Sequence, residues 1–248
     1  ADTSPPALVA FDLNLGTSML SLVWSKPVNA STLRTNQITI QGSSTALATN
    51  TFTLTGSQAL SPSSAVLGVT LSIADGIFLR MATFATNRNN TFITIGSSAV
   101  LDLRQRPSAE IANGMAQQVR MFTADNLPPK VESFTLDFNM GMLNITFDET
   151  VTSLNPRAIQ LQNNLVSPTS SYALQYSSLT SIIENTVTIA LGLLDVDNLE
   201  IASLTNITYI ALLAGSTSDI FNNTVTVATV QTPIGTIIPD TVAPSLLS

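Results

Sequence analysis

The chain has 248 residues and a net charge of −7, with 10% charged against 44% hydrophobic residues and a mean hydropathy of +0.33. It contains neither cysteine nor histidine, which excludes disulfides, thiolate or imidazole metal sites and any histidine-dependent catalytic triad. The acidic balance argues against nucleic acid as a partner, and no uninterrupted run of ~18 apolar residues is present to cross a membrane as a helix.

The opening stretch, Asp2-Thr-Ser-Pro-Pro-Ala-Leu-Val-Ala-Phe-Asp-Leu-Asn-Leu15, returns as Asp125-Asn-Leu-Pro-Pro-Lys-Val-Glu-Ser-Phe-Thr-Leu-Asp-Phe138. It starts a third time at Asp240-Thr-Val-Ala-Pro-Ser-Leu-Leu-Ser248. The repeat divides the chain into residues 1–123, residues 124–239 and a tail, 240–248, each of the first two long enough for its own core. The chain begins at Ala1 without a signal peptide, so it is expected to be processed or excerpted from a longer one.

After Pro5 and Pro6, which stiffen the entry, Val9, Phe11, Leu13 and Leu15 alternate as in a half-buried strand. Leu20, Leu22 and Trp24 alternate again past a turn at Gly16-Thr-Ser18. Their counterparts are Phe134, Leu136 and Phe138, then Leu143, Ile145 and Phe147. Further strands are predicted at 37–41, 51–55 and 66–73, and at 158–162, 172–176 and 187–191. Ile77, Met81 and Phe84 have helical spacing, and Asp197 with Glu200 reads as a capping box, so one short helix is expected in each repeat. Strands then resume at 91–95 and 208–212, and 116–123 and 225–230 close the repeats.

About seven short alternating strands with one late helix suit a β-sandwich. The repeated opening motifs, together with Leu22-Val-Trp-Ser-Lys-Pro-Val-Asn29 and Ile145-Thr-Phe-Asp-Glu-Thr-Val-Thr152, resemble the immunoglobulin-like (bacterial Ig-like or cadherin-like) repeats of microbial and algal extracellular surface and fibril glycoproteins. Repeats of that family open with the form D-x-x-P-P, and their second strand ends Phe-Ser-Glu-Pro-Val. The third opening motif departs from this form in having Ala243 where the first proline would stand. The resemblance implies an all-β chain of two tandem immunoglobulin-like sandwiches on an extracellular fibril or cell surface. Its motifs are structural and serve many functions.

The N-glycosylation pattern N-x-[ST] occurs at Asn29, Asn89, Asn144, Asn206 and Asn222. Serine and threonine make up about a quarter of the chain, so the pattern would arise this often by composition alone. Asn89 and Asn206 occupy the same turn of the two repeats. Thr3, Ser4, Pro5, Pro6, Pro128, Pro129, Thr241 and Pro244 are candidates for O-linked sugar or hydroxylation, the plain alternative being a stiff linker. Asp195, Asp197 and Asn198 form an acidic cluster, and Asp102, Asp125 and Asp219 lie near the repeat ends. The dense acidic run that a calcium linker needs is missing, and helix capping accounts for Asp75 and Asp197. No cofactor is expected beyond covalent glycans, with calcium at Asp195, Asp197 and Asn198 as the disfavoured alternative.

Asp148 and Glu149 are adjacent on a strand and face opposite ways, which makes a surface strand end of them rather than a carboxylate-pair active site. Trp24 and Phe147 are in phase with core residues. No catalytic residue is identified. The tail residues Asp240, Thr241, Val242, Ala243, Pro244, Ser245, Leu246, Leu247 and Ser248 are too few to bury Leu246 and Leu247 alone. They read as a strand donated to the next unit or as the start of another covalent repeat. The expected function is a non-enzymatic structural glycoprotein assembling with itself head-to-tail into a fibril. The alternative is an adhesin or carbohydrate-binding stalk.

Overall fold

The computed structural model describes residues 3–60, 62–204, 209–231 and 234–241. The chain is all-β, of the sandwich class, with two helices, and it divides into two compact units, Ala1–Asn126 and Leu127–Ser248.

In unit 1 the order is β1 (Leu8–Asn14), β2 (Met19–Asn29), β3 (Ile38–Gln41), β4 (Thr51–Thr53), β5 (Gln58–Ala59), β6 (Ser64–Thr70) and α1 (Ile73–Met81). Then follow β7 (Phe92–Ile95), β8 (Leu101–Asp102), β9 (Gln117–Gln118) and β10 (Met121–Thr123). One sheet runs β10-β1-β2-β6-β5, with β8 also on β2, and the other runs β4-β3-β7-β9.

Unit 2 repeats the plan with β11 (Val131–Asp137), β12 (Met142–Phe147), β13 (Val151–Leu154), β14 (Ile159–Gln162), β15 (Ser171–Ala173), β16 (Ser178–Ile183), β17 (Thr186–Ala190) and α2 (Leu193–Ile201). It continues with β18 (Tyr209–Leu212), β19 (Thr217–Asp219), β20 (Thr229–Gln231) and β21 (Ile234–Ile238). Its sheets are β16-β17-β12-β11-β21 and β15-β14-β18-β20, with the pair β13-β19. In both units the last strand closes the sheet by running parallel to the first: Leu13 pairs with Phe122, and Leu136 with Ile237.

Alternation creates these cores. Phe11, Leu13, Leu20, Leu22 and Trp24 point inward from one sheet of unit 1 and meet Ile38, Ile40, Ile93 and Ile95 from the other. Phe134, Leu136, Leu143, Ile145 and Phe147 meet Ile159, Leu161, Ile210 and Leu212 in unit 2. Each such side chain contributes about 1.5–3 kcal/mol on burial.

Several expectations are corrected. Val9 is exposed because a bulge between Leu8 and Ala10 breaks the alternation, and the same bulge recurs between Val131 and Ser133. The first helix begins earlier than its apolar spacing suggests, because the Ser72 hydroxyl accepts from Asp75 N at 3.1 Å and caps it. It buries Leu79 and Arg80 and turns Met81 outward, while Phe84 is buried beyond its end. The second helix starts after Gly192 and carries Asp197 in its interior, so Asp197 is no cap. The strands at β5, β8, β16 and β19 lack a strong apolar alternation, and the hydrophobic pattern does not foreshadow them. The closing strand of unit 2 is 234–238 and not the 225–230 stretch.

Candidate functional site

Four buried carboxylates are bound into loop-holding positions, as two pairs that repeat between the units. Asp75, in the first turn of α1, is fully buried. Its oxygens accept from Thr55 N at 3.0 Å, Thr55 Oγ1 at 2.6 Å, Gly56 N at 3.1 Å, Ser57 N at 3.1 Å and Ser57 Oγ at 2.6 Å. Asp195, in the first turn of α2, holds the equivalent loop, accepting from Gln175 N at 2.9 Å, Tyr176 N at 2.9 Å, Tyr172 Oη at 2.8 Å and Ser177 Oγ.

Burial pushes both carboxyls up, but these donors outweigh it and hold both pKa values below the ordinary Asp value. A charged group so fully engaged is a structural anchor rather than a proton shuttle. Thus Asp195, and not Asp197, is the counterpart of Asp75. Two residues apart on a helix, Asp195 and Asp197 cannot share a face. Asn198 donates to Leu194 O at 2.6 Å and to Tyr172 Oη at 3.3 Å, so it meets Asp195 only through the tyrosine hydroxyl that both bind.

A second device repeats after the short strands β8 and β19. Asp102 Oδ1 accepts from Arg104 N at 2.8 Å and Arg106 N at 2.9 Å, and Oδ2 accepts from Arg106 Nε at 2.7 Å. Asp219 Oδ1 accepts from Phe221 N and Asn223 N, both at 2.8 Å, and Oδ2 accepts from Asn223 Nδ2 at 2.7 Å. Gln105 and Asn222, both at φ 63°, occupy the left-handed position of these turns. Burial raises the Asp102 carboxyl, but the Arg106 and Arg104 bonds lower it further. Asp125 is buried and forms an ion pair with Arg80 Nε. No sequence motif marks these roles. They emerge only when the two units are aligned by their strands.

Asn89 and Asn222 are exposed in turns, and no hydrogen bond involves their side-chain amides among the described residues. Asn29 and Asn144 are half-buried. Asn29 Oδ1 accepts from Ser31 N at 3.1 Å and Ser31 Oγ at 2.8 Å, and Asn144 Oδ1 accepts from Thr188 Oγ1 at 2.8 Å in mid-sheet. Asn206 lies outside the described residues. Thr3, Ser4, Pro5 and Thr241 are exposed, Pro128 is half-buried, and Pro6 and Pro129 are buried. Pro244 lies outside the described residues.

Asp148 and Glu149 are not both surface groups. Glu149 is buried, whereas Asp148 is half-buried and accepts from Lys130 N at 2.8 Å. Trp24 and Phe147 are core residues. Of the tail, Asp240 and Thr241 are described. Asn139 Nδ2 donates to Pro239 O at 2.8 Å, and Asn139 Oδ1 accepts from Thr241 N at 2.8 Å. Val242, Ala243, Pro244, Ser245, Leu246, Leu247 and Ser248 lie outside the described residues.

No known sequence family matches this chain, and no curated protein does either. Among solved structures, the N-terminal part of the bacterial S-layer protein SbsC is similar over 96% of this chain and 45% of that one, at 11% identity and a TM-score of 0.34. The chain thus spans less than half of that structure, and a likeness of this size carries no argument about function.

Proposed function

We propose that this chain is a structural, non-enzymatic extracellular protein. Its two units are immunoglobulin-like domains, and copies of it associate with one another into a fibril or surface appendage. The observation that carries this reading is an apolar display repeated on both helices. Ile73 and Met81 are 39% and 62% exposed at the ends of α1, and at the matching ends of α2 Leu193 and Ile201 are 84% and 80% exposed. Covering such side chains with another surface is favourable, and their recurrence at the same two positions of two diverged units is what points to such a surface. With only 10% charged residues, the rest of the surface offers little charge repulsion against association. The occupant proposed is a second copy of the chain.

The structural use of Asp75, Asp195, Asp102 and Asp219 supports the non-enzymatic reading, because these carboxylates are committed to backbone and hydroxyl donors. Covalent glycans at Asn89 and Asn222 would sit on exposed turns and add solubility.

The test is sedimentation and electron microscopy of the purified chain over a range of concentrations, alongside a Met81→Lys/Ile201→Lys variant. Concentration-dependent assembly that the variant abolishes supports the reading. A chain that stays monomeric at every concentration sinks it. Removal of residues 240–248 separates helix-face association from strand donation, since donation requires the tail and the helix face does not.

A further inference from the structure

Unit 1 carries a polar cleft whose threonine row and wall have no counterpart among the described residues of unit 2, which is built on the same plan. On the outward face of the sheet β4-β3-β7, Thr39 stands opposite both Thr53 and Thr94, making a cross-strand row of three threonines. Strands lie ~4.8 Å apart, so the row is a closely spaced rank of hydroxyls, and Thr39 Oγ1 and Thr53 Oγ1 share a hydrogen bond of 2.7 Å.

The long connection between β8 and β9 walls the row. Ile111 is tied to Ile95 by paired backbone bonds of 3.1 and 2.8 Å. The Asn113 amide grips the Ala46 backbone, accepting from its N at 2.9 Å and donating to its O at 2.8 Å. At one end the Gln37 amide lies over Gly96, where a Cβ would meet its Oε1 at 2.1 Å. The cleft is open to solvent and holds about 230 Å³, and its wall is fixed before any ligand arrives.

The lining offers hydroxyls, side-chain amides and a single formal charge, the exposed Glu110. Hydroxyls and amides both donate and accept, and a carboxylate accepts from neighbouring hydroxyls. Without Lys or Arg in the lining, and with a net charge of −7, an anionic ligand is disfavoured. The row in unit 2 reads Ala173, Gln160 and Ala211, and the connection from Asp219 to Thr229 is too short to supply the wall. Both units keep the same strand order, so the cleft comes from side chains and a longer connection rather than from topology.

We propose that this cleft binds a neutral polyhydroxylated ligand, a hexopyranose or a short neutral oligosaccharide segment. This goes beyond the assembly reading and is independent of it: a monomeric chain would still bind, and an assembling chain could fail to.

The experiment is an NMR titration of the whole isotopically labelled chain with glucose, galactose, mannose and short β-glucan and xylan oligosaccharides, beside glucuronate and galactose sulfate as charged comparators. Saturable amide shifts clustered at Thr39, Thr53, Thr94 and residues 110–113, with unit 2 unmoved, are the expected result. Thr39→Val/Thr94→Val should weaken binding by about tenfold or more while leaving the remaining spectrum unchanged, since two hydrogen-bonding hydroxyls are lost. Glu110→Gln should weaken it without altering the fold. Absence of shifts with every sugar, shifts spread equally over unit 2, binding unchanged in both variants, or preference for uronate or sulfated sugars would each overturn the proposal.

Discussion

The backbone carbonyl of Tyr176 lies 2.6 Å from where a Cβ on Gly192 would stand, and the Tyr176 Cβ lies 2.8 Å from it. Unit 1 has the same crossing with the roles exchanged: Gly56 faces Ser72, and a Cβ on Gly56 would meet the Ser72 Cβ at 3.2 Å. Each unit thus keeps one glycine where the loop gripped by the helix-start carboxylate passes the helix cap, but on opposite sides.

Gly192→Ser is therefore expected to destabilise unit 2 by roughly 1–3 kcal/mol through overpacking against backbone. Adding Tyr176→Gly removes the Cβ contact but leaves the Tyr176 carbonyl in place, so it should recover only part of this, through the freer loop backbone and a new hydroxyl that can cap α2, a gain of about 1 kcal/mol. Tyr176 is 61% exposed, so its own loss is small. Denaturant unfolding of both variants reads the difference. All three tyrosines lie in unit 2 and the single tryptophan in unit 1, so the two fluorophores report the units separately. A double variant no more stable than Gly192→Ser would contradict the exchange.

Asp75 and Asp195 give both units an acid limit. Their folded pKa values lie below the ordinary value of about 3.9. The stability they contribute is therefore fully present above that pH and is lost as pH falls through the lower folded pKa. Asp75→Asn should destabilise unit 1, and Asp195→Asn unit 2, each by about 2–4 kcal/mol, because a network of donors to a buried charge is broken. Each variant should also flatten the acid limb of its own unit.

The alkaline side distinguishes the units. Burial first, and then the hydrogen bond to Asp195, raises the Tyr172 pKa. Stability from the neutral phenol is held below about pH 10, the ordinary tyrosine value, and is lost as pH rises through the folded value. Unit 1 has Phe52 at this place, stacked on Phe78 with ring centroids 4.0 Å apart. Unit 2 has instead the hydrogen-bonded pair Tyr172 and Asn198. Thermal unfolding followed by circular dichroism, with Trp24 emission marking unit 1, should show the alkaline loss in unit 2 only. Tyr172→Phe should remove it.

The inward alternation of both units was legible in the sequence because a two-residue period leaves its mark on any strand with one buried face. The return of the Asp2–Leu15 motif at Asp125–Phe138 likewise exposed the two-fold plan. The anchors were not legible. Asp75 and Asp195 resemble ordinary helix-start acids, and nothing local shows that their partners are loop amides some twenty residues earlier. Pairing Asp75 with Asp197 followed from placing both in capping roles, whereas the structure sets helix starts by Ser72 and Gly192. The polar cleft was hidden because its row, Thr53, Thr39 and Thr94, is assembled across three strands and its wall is a connection with no motif.

Trp24 offers a further test. Its indole Nε1 is buried without a hydrogen-bond partner among the described residues, and Phe147 occupies the matching place in unit 2. Trp24→Phe removes packing volume but also removes a buried unsatisfied donor, which costs about 1–3 kcal/mol. The net change by calorimetry should be under about 1 kcal/mol, whereas Trp24→Ala should cost about 3–5 kcal/mol. A large loss in the phenylalanine variant would mean that the indole N–H is engaged in solution.

Arg80 closes unit 1 by a route unit 2 does not share. Its side chain is buried; Nε pairs with Asp125, and Nη2 donates to Leu15 O at 2.6 Å and Ser18 Oγ at 3.0 Å. The helix position matching Arg80 is Glu200, and unit 2 holds its end through Asn139 instead. Arg80→Met leaves the Asp125 carboxylate buried without its cation and should cost about 3–5 kcal/mol, whereas Arg80→Met/Asp125→Leu should recover most of that loss, because a buried ion pair replaced on both sides is close to neutral. Trp24 emission during denaturant unfolding measures both. If the double variant is as unstable as Arg80→Met, the guanidinium contributes mainly through Leu15 and Ser18, and the turn between β1 and β2 depends on it.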